Sequence, residues 1–116
     1  MKYLILAMCL LALPAQAAPK PINAERLVDA IYRAEGGDKS HHPYGILSVK
    51  VRNKAEARRV CLNTVRNNYR RWKKAGAKGD FICYLGNVYA PPNVSNDPSG
   101  LNRHWVKNVS FYYRAS

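Results

Sequence analysis

The stretch from Lys54 to about Ala75 constrains the fold more than any other part of the chain. Ala57, Val60, Cys61, Thr64, Val65, Asn68 and Trp72 recur at intervals of three and four, the spacing that places side chains on one face of an α-helix. Arg58, Arg59, Arg66, Arg70, Arg71, Lys73 and Lys74 crowd the remaining surface. A helix with one apolar stripe gains most of its stability by covering that stripe with other elements. The pattern therefore predicts one hydrophobic core built around a long central pillar. Gly76 and Gly79 bracket the end of this helix.

Three further helices are expected to complete the core. Asn23 is a suitable N-cap, Glu25 puts an acid in the first turn, and Leu27, Val28, Ile31, Tyr32, Ala34 and Glu35 follow at helical spacing before Gly36-Gly37 stops the run. Asp80 can cap a shorter helix with Phe81, Ile82, Leu85, Val88 and Tyr89 facing inward, closed by Pro91-Pro92. A last helix runs from about Leu101 to Tyr113, with Leu101, Trp105, Val109 and Tyr112 on one face. Residues 36–53 read as a loop, within which Ile46 to Val51 could form a short strand or hairpin arm. The expected class is mainly α, with about four helices and a loop or small β element after the first.

The N-terminus precedes this domain and is of another kind. Lys2, an apolar run from Tyr3 to Leu13, Pro14, and then Ala15-Gln16-Ala17 have the order of a secretory signal peptide with its cleavage site. The run is shorter than the roughly 20 residues that a membrane-spanning helix needs. The expected organisation is a signal peptide at 1–17, an extended Pro-rich leader at 18–22, and one domain at 23–116. The mature protein would then be periplasmic or secreted, without stable membrane insertion, and monomeric. Cys9 would leave with the signal, so that Cys61 and Cys83 remain. Whether they pair is left open by the sequence, because Cys61 lies on the apolar face of its helix and Cys83 roughly opposite the apolar face of its own.

The chain carries 19 Lys+Arg against 7 Asp+Glu, a formal net charge of +12. An excess this large on so short a chain favours a polyanionic partner. Outside the inner membrane the candidates are cell wall, anionic lipid and free nucleic acid, and export counts against the last.

Glu35 is the candidate for chemistry. It follows Ile31 by four residues and Leu27 by eight, which places it on the apolar face, and it sits where the helix dipole opposes negative charge. Burial and the dipole both favour the neutral acid and should raise its pKa. A carboxyl kept protonated near neutral pH is the group needed to protonate a glycosidic oxygen. The alternative is a Glu that turns outward into solvent.

The residues around Glu35 extend this reading. Glu35-Gly36-Gly37, then Tyr44-Gly45-Ile46-Leu47-Ser48-Val49, and later Tyr89-Ala90, stand in an order that resembles the soluble lytic transglycosylases, a lysozyme-like family. The resemblance implies a lysozyme-like fold for residues 23–116. It also implies cleavage of the MurNAc-GlcNAc β-1,4 bond of peptidoglycan, with Glu35 as the acid/base and glycan strands as the partner. By the same resemblance Ser48 and Tyr89 occupy substrate-binding positions. Two departures stand out: Ser48 replaces the family's Gln, and Pro91-Pro92 follow Tyr89-Ala90 where the family has Asn and Gly. A two-carboxylate hydrolase needs a second acid about 5 to 9 Å from the first, and Asp38 is the only acid near Glu35 in sequence. The one-acid arrangement fits the transglycosylase mechanism, for which no metal and no cofactor is expected.

Other residues carry less. His41-His42 are adjacent on a loop, with no Cys or carboxylate at ligand spacing, so no metal site is assigned. Trp72, Trp105 and Phe111 read as core rather than as sugar platforms. Tyr44 fits two roles equally, a platform that stacks on a sugar ring or a loop anchor packed against the helices. Two other functions compete with catalysis. One is an exported basic binding protein, for cell wall, anionic lipid or nucleic acid, motivated by the arginine-rich helix. The other is a lysozyme-like scaffold that binds glycan without cleaving it.

Overall fold

A computed structural model describes residues 21–45, 52–89 and 104–116. Four α-helices account for most of them: α1 (Ala24–Ala34), α2 (Lys54–Lys74), α3 (Phe81–Tyr89) and α4 (Trp105–Ala115). Two 3₁₀ turns, Gly37–Lys39 and Pro43–Gly45, lie between α1 and α2. The protein is mainly α, with four helices and no strand among the described residues. The short β element expected at Ile46 to Val51 falls outside those residues, as do Pro91-Pro92 and the expected start of the last helix at Leu101.

Each helix begins and ends for a local reason. The Asn23 carboxamide accepts from the Arg26 amide at 3.0 Å and caps α1. Asn53 does the same for α2, accepting from the Glu56 amide at 2.8 Å, while the Glu56 carboxylate reaches back to the Arg52 amide at 3.0 Å. At the far end of α2 the Ala77 amide bonds to the Trp72 carbonyl and the Gly76 amide to the Lys73 carbonyl. This closure turns the chain through a left-handed residue, and Gly76, at φ 106°, supplies it. The Asp80 carboxylate accepts from the Cys83 amide at 3.4 Å at the start of α3.

The pillar role of α2 holds. Ala57, Cys61, Val65, Asn68 and Trp72 are buried along one face, and α2 packs on both α1 and α3. Leu27, Val28, Ala30 and Ile31 of α1 meet this face from one side, and Phe81, Ile82 and Leu85 of α3 from another. The α4 helix closes the core with Trp105 and Val109, packing against α1 and α3. Two expectations fail: Phe111, read as core, is 66% exposed on the outer side of α4, and Val88 does not face inward but is 51% exposed. The buried arc of α3 runs through Gly86 instead, because α4 rests against the surface where that residue has no side chain. Val88 is left at the opposite edge of the arc. No helix among the described residues is long and apolar enough to cross a membrane.

Candidate active site

Glu35 is the residue that ends α1. Its amide still bonds to the Ile31 carbonyl at 2.9 Å, and Gly36 then leaves the helix at φ 102°. The helical register carries the Glu35 side chain onto the edge of the core, where it is half-buried. Burial raises its pKa above the ordinary carboxylate value, and a hydrogen bond from Trp105 opposes that rise. The bond is direct: the indole Nε1–H of Trp105 donates to Oε1 of Glu35 at 2.8 Å.

The loop after α1 closes over this carboxyl. Tyr44 and Gly45 are both left-handed, at φ 62° and φ 66°. Gly45 passes so near Glu35 that a β-carbon there would stand 2.7 Å from Cδ of the carboxyl group and 2.8 Å from Oε1. The Gly45-Ile46-Leu47 stretch singled out in the sequence thus begins with a residue whose lack of a side chain leaves room for Glu35. The Gly45 amide bonds to the His42 carbonyl at 2.8 Å and fixes the turn.

Tyr44 is 3% exposed, and its ring packs 5.0 Å from that of Tyr32. Of the two roles open to it, burial supports the loop anchor, since a ring enclosed on this scale has no free face for a sugar. Tyr89 is brought to the same place. Its hydroxyl donates to the Tyr44 carbonyl and lies 3.6 Å from Sγ of Cys61. Its ring stacks on Trp105, with centroids 5.4 Å apart and planes 29° from parallel. Glu35, Trp105, Tyr89, Tyr44 and Gly45 thus form one connected cluster. Burial pushes both the Tyr89 phenol and the Cys61 thiol up, the latter to about 12, so each stays neutral across the physiological range. Ser48 lies outside the described residues.

Asp38 is engaged elsewhere. Its carboxylate accepts from the Tyr32 hydroxyl and from Nζ of Lys54, the latter at 3.0 Å, and these partners hold its pKa below the usual value. It is exposed and ionised, with the Lys54 ammonium also lying 4.4 Å from the Tyr32 ring centroid. His41 and His42 are exposed. No group of three or more His, Cys, Asp and Glu side chains among the described residues is placed to hold a metal ion. Cys61 is buried and Cys83 exposed, and both are free thiols.

The sequence placed Trp105 in the core and missed its polar end. Its stripe position carries the apolar ring inward, and nothing near it in sequence signals that its N–H meets a carboxyl 70 positions away. Comparison with protein-family models, with curated proteins and with solved structures finds no match to this chain.

Proposed function

We propose that this protein is a peptidoglycan-cleaving glycosidase of the lytic transglycosylase type, with a lysozyme-like domain and Glu35 as its acid/base. The observation that carries the proposal is the state of the Glu35 carboxyl. It is half-buried, raised in pKa by desolvation, and given one side-chain donor by Trp105. That environment favours a protonated acid in the resting site while keeping a partner ready for the anion.

The chemistry then follows with one carboxyl group. Glu35 gives its proton to the leaving glycosidic oxygen as the C1–O bond breaks. The resulting carboxylate, stabilised by the Trp105 N–H, accepts the proton of the sugar's own 6-hydroxyl as that oxygen bonds to C1. Glu35 ends protonated, and the product is a 1,6-anhydro sugar. No water enters the balance. The commitment of Asp38 to Tyr32 and Lys54 supports the one-acid route over a two-carboxylate hydrolysis. The signal-like N-terminus and the net charge of +12 suit an anionic wall outside the inner membrane.

A second reading is an exported basic protein that binds a polyanion and does not cleave it; the arginine-rich surface of α2 favours it. One experiment separates the two. The chain from residue 18, and its Glu35→Gln variant, are incubated with purified peptidoglycan sacculi, and soluble products are identified by mass spectrometry. Anhydro-muropeptides from the native chain, reduced on the order of 10²- to 10⁴-fold in the variant, are expected. Reducing-end products would make the enzyme a hydrolase. Absence of products from both proteins would leave only the binding reading.

A further inference from the structure

The positive charge of this protein is unevenly compensated. The acids Asp29, Asp38 and Glu56 pair with Arg58, Lys54, Arg52 and Arg59, all at or before the N-terminal half of α2. Among the described residues no carboxylate lies within ion-pair distance of Arg66, Arg70, Arg71, Lys73 or Lys74. Arg66, Arg70 and Lys74 are exposed and succeed one another at intervals of four, with exposed Arg71 beside Arg70, so the four share one flank of the helix. Two exposed amides, Asn63 and Asn67, lie on the same flank, and Asn67 accepts a hydrogen bond from Arg70. Asn67, Arg70, Arg71 and Lys74 line a shallow depression of about 360 Å³. At 1.5 Å per residue, the flank from Asn63 to Lys74 spans about 16 Å.

We infer that the C-terminal half of α2 is a binding surface for a carboxylate-bearing glycan polymer, separate from the Glu35 site. The identity of the polymer rests on the cell-wall reading given above. Guanidinium groups pair with carboxylates in a planar, two-bond geometry, and amides beside them suit the hydroxyl and acetamido groups of a sugar chain. An anionic lipid surface fits less well, because a helix that binds in the interface inserts an apolar face. The apolar face of α2 is already buried through Ala57, Cys61, Val65 and Trp72. Single-stranded nucleic acid fits less well too, since it calls for free aromatic faces on which bases stack. Tyr69, the aromatic residue beside the flank, is occupied by Trp72 and Phe81, with centroids at 5.7 and 5.2 Å, and Lys73 lies over its ring. The surface would hold the strand while Glu35, next to Gly45 and Trp105, acts on it. Cys61, which borders the Glu35 cluster, precedes Arg70 by nine residues, about 13 Å along the helix.

The test uses the Glu35→Gln chain, so that sacculi stay intact during the measurement. Co-sedimentation with sacculi is measured at about 50 and 200 mM salt, beside a DNA duplex and phosphatidylglycerol vesicles. Binding to sacculi that weakens with salt is expected, together with a loss of about tenfold or more in Arg66→Gln/Arg70→Gln/Lys74→Gln at the lower salt. Because these side chains are exposed, the triple variant should keep its helix content and unfolding temperature. If it does not fold, Arg70→Gln and Lys74→Gln are measured singly, and each must weaken binding. Unchanged binding in these variants overturns the inference. So does tighter binding of the parent to DNA or to vesicles than to sacculi at the higher salt. Product release by the native chain is read separately. Stripe-dependent binding without products sinks the enzymatic reading and leaves this surface standing, and products with stripe-independent binding do the reverse.

Discussion

Trp105 Nε1 donates a hydrogen bond to Glu35 Oε1 at 2.8 Å, joining the first turn of α4 to the residue that ends α1. The bond acts against burial: desolvation favours the neutral carboxyl, and the N–H favours the anion. Trp105→Phe keeps an aromatic ring for Tyr89 to stack on and removes the donor. The Glu35 pKa should then rise further, so the high-pH limb of a pH–rate profile on solubilised peptidoglycan should move to higher pH. The rate at its optimum should fall by about 10- to 100-fold, the worth of a hydrogen bond to a charged group. A profile that keeps its limb while losing rate would mean that Trp105 only supports the fold.

The raised pKa of Glu35 also has a consequence for stability that does not depend on any substrate. Its folded-state value lies above the unfolded one, so the unfolded chain ionises first as pH rises. The neutral carboxyl therefore stabilises the fold fully below the ordinary carboxylate range, and that contribution is lost as pH rises through the folded value. Glu35→Gln cannot ionise, and its carbonyl oxygen can still accept from Trp105. Thermal unfolding should show the variant more stable than the parent at pH 8 and nearly equal to it at pH 4. Equal stability at both values would mean that the carboxyl is not held in a desolvating site.

Gly45 is required twice over. Its φ of 66° is a conformation that other residues adopt at a cost of about 1 kcal/mol, and its missing β-carbon leaves space for the Glu35 carboxyl at 2.7 Å. Gly45→Ala should destabilise the fold by about 1–3 kcal/mol and displace Glu35 from Trp105. Activity should drop by at least tenfold at a temperature where the variant is fully folded, measured beside its unfolding curve. An active, folded Ala variant would show that the loop yields without moving the acid.

The sequence was legible where one residue acts through its own helix. The Asn23 cap, the Gly76 stop, the buried face of α2 and the placement of Glu35 on the core side of α1 all follow from short-range spacing. What could not be read was set by contacts between distant segments. Tyr44 has the same composition context whether its ring faces solvent or Tyr32, and only the left-handed turn and the Tyr89 hydroxyl decide it. The Trp105 partner of Glu35 comes from another helix. Val88 was misplaced because helical phase alone does not reveal which edge of α3 the α4 helix covers.

That last point can be tested at Gly86, where side chains of α4 lie close against the α3 backbone. A β-carbon on Gly86 would meet Cγ2 of Val106 at 2.6 Å and Cε3 of Trp105 at 3.3 Å. In an unconstrained helix Gly→Ala adds about 1 kcal/mol of stability through backbone entropy. Here the methyl group should force α4 away and cost more than that gain, leaving Gly86→Ala less stable than the parent by about 1–2 kcal/mol. Trimming the obstacle should reverse much of the loss. In Gly86→Ala/Val106→Ala the nearest clash is gone, so the double variant should be more stable than the sum of the two single changes by about 1 kcal/mol or more. Since Trp105 precedes Val106, the single variant should also loosen the indole from Glu35 and lower activity, and the double variant should recover part of it. Additive effects in denaturant titrations of all four proteins would show that α3 and α4 do not meet at this point, and the burial of Gly86 in place of Val88 would lose its explanation.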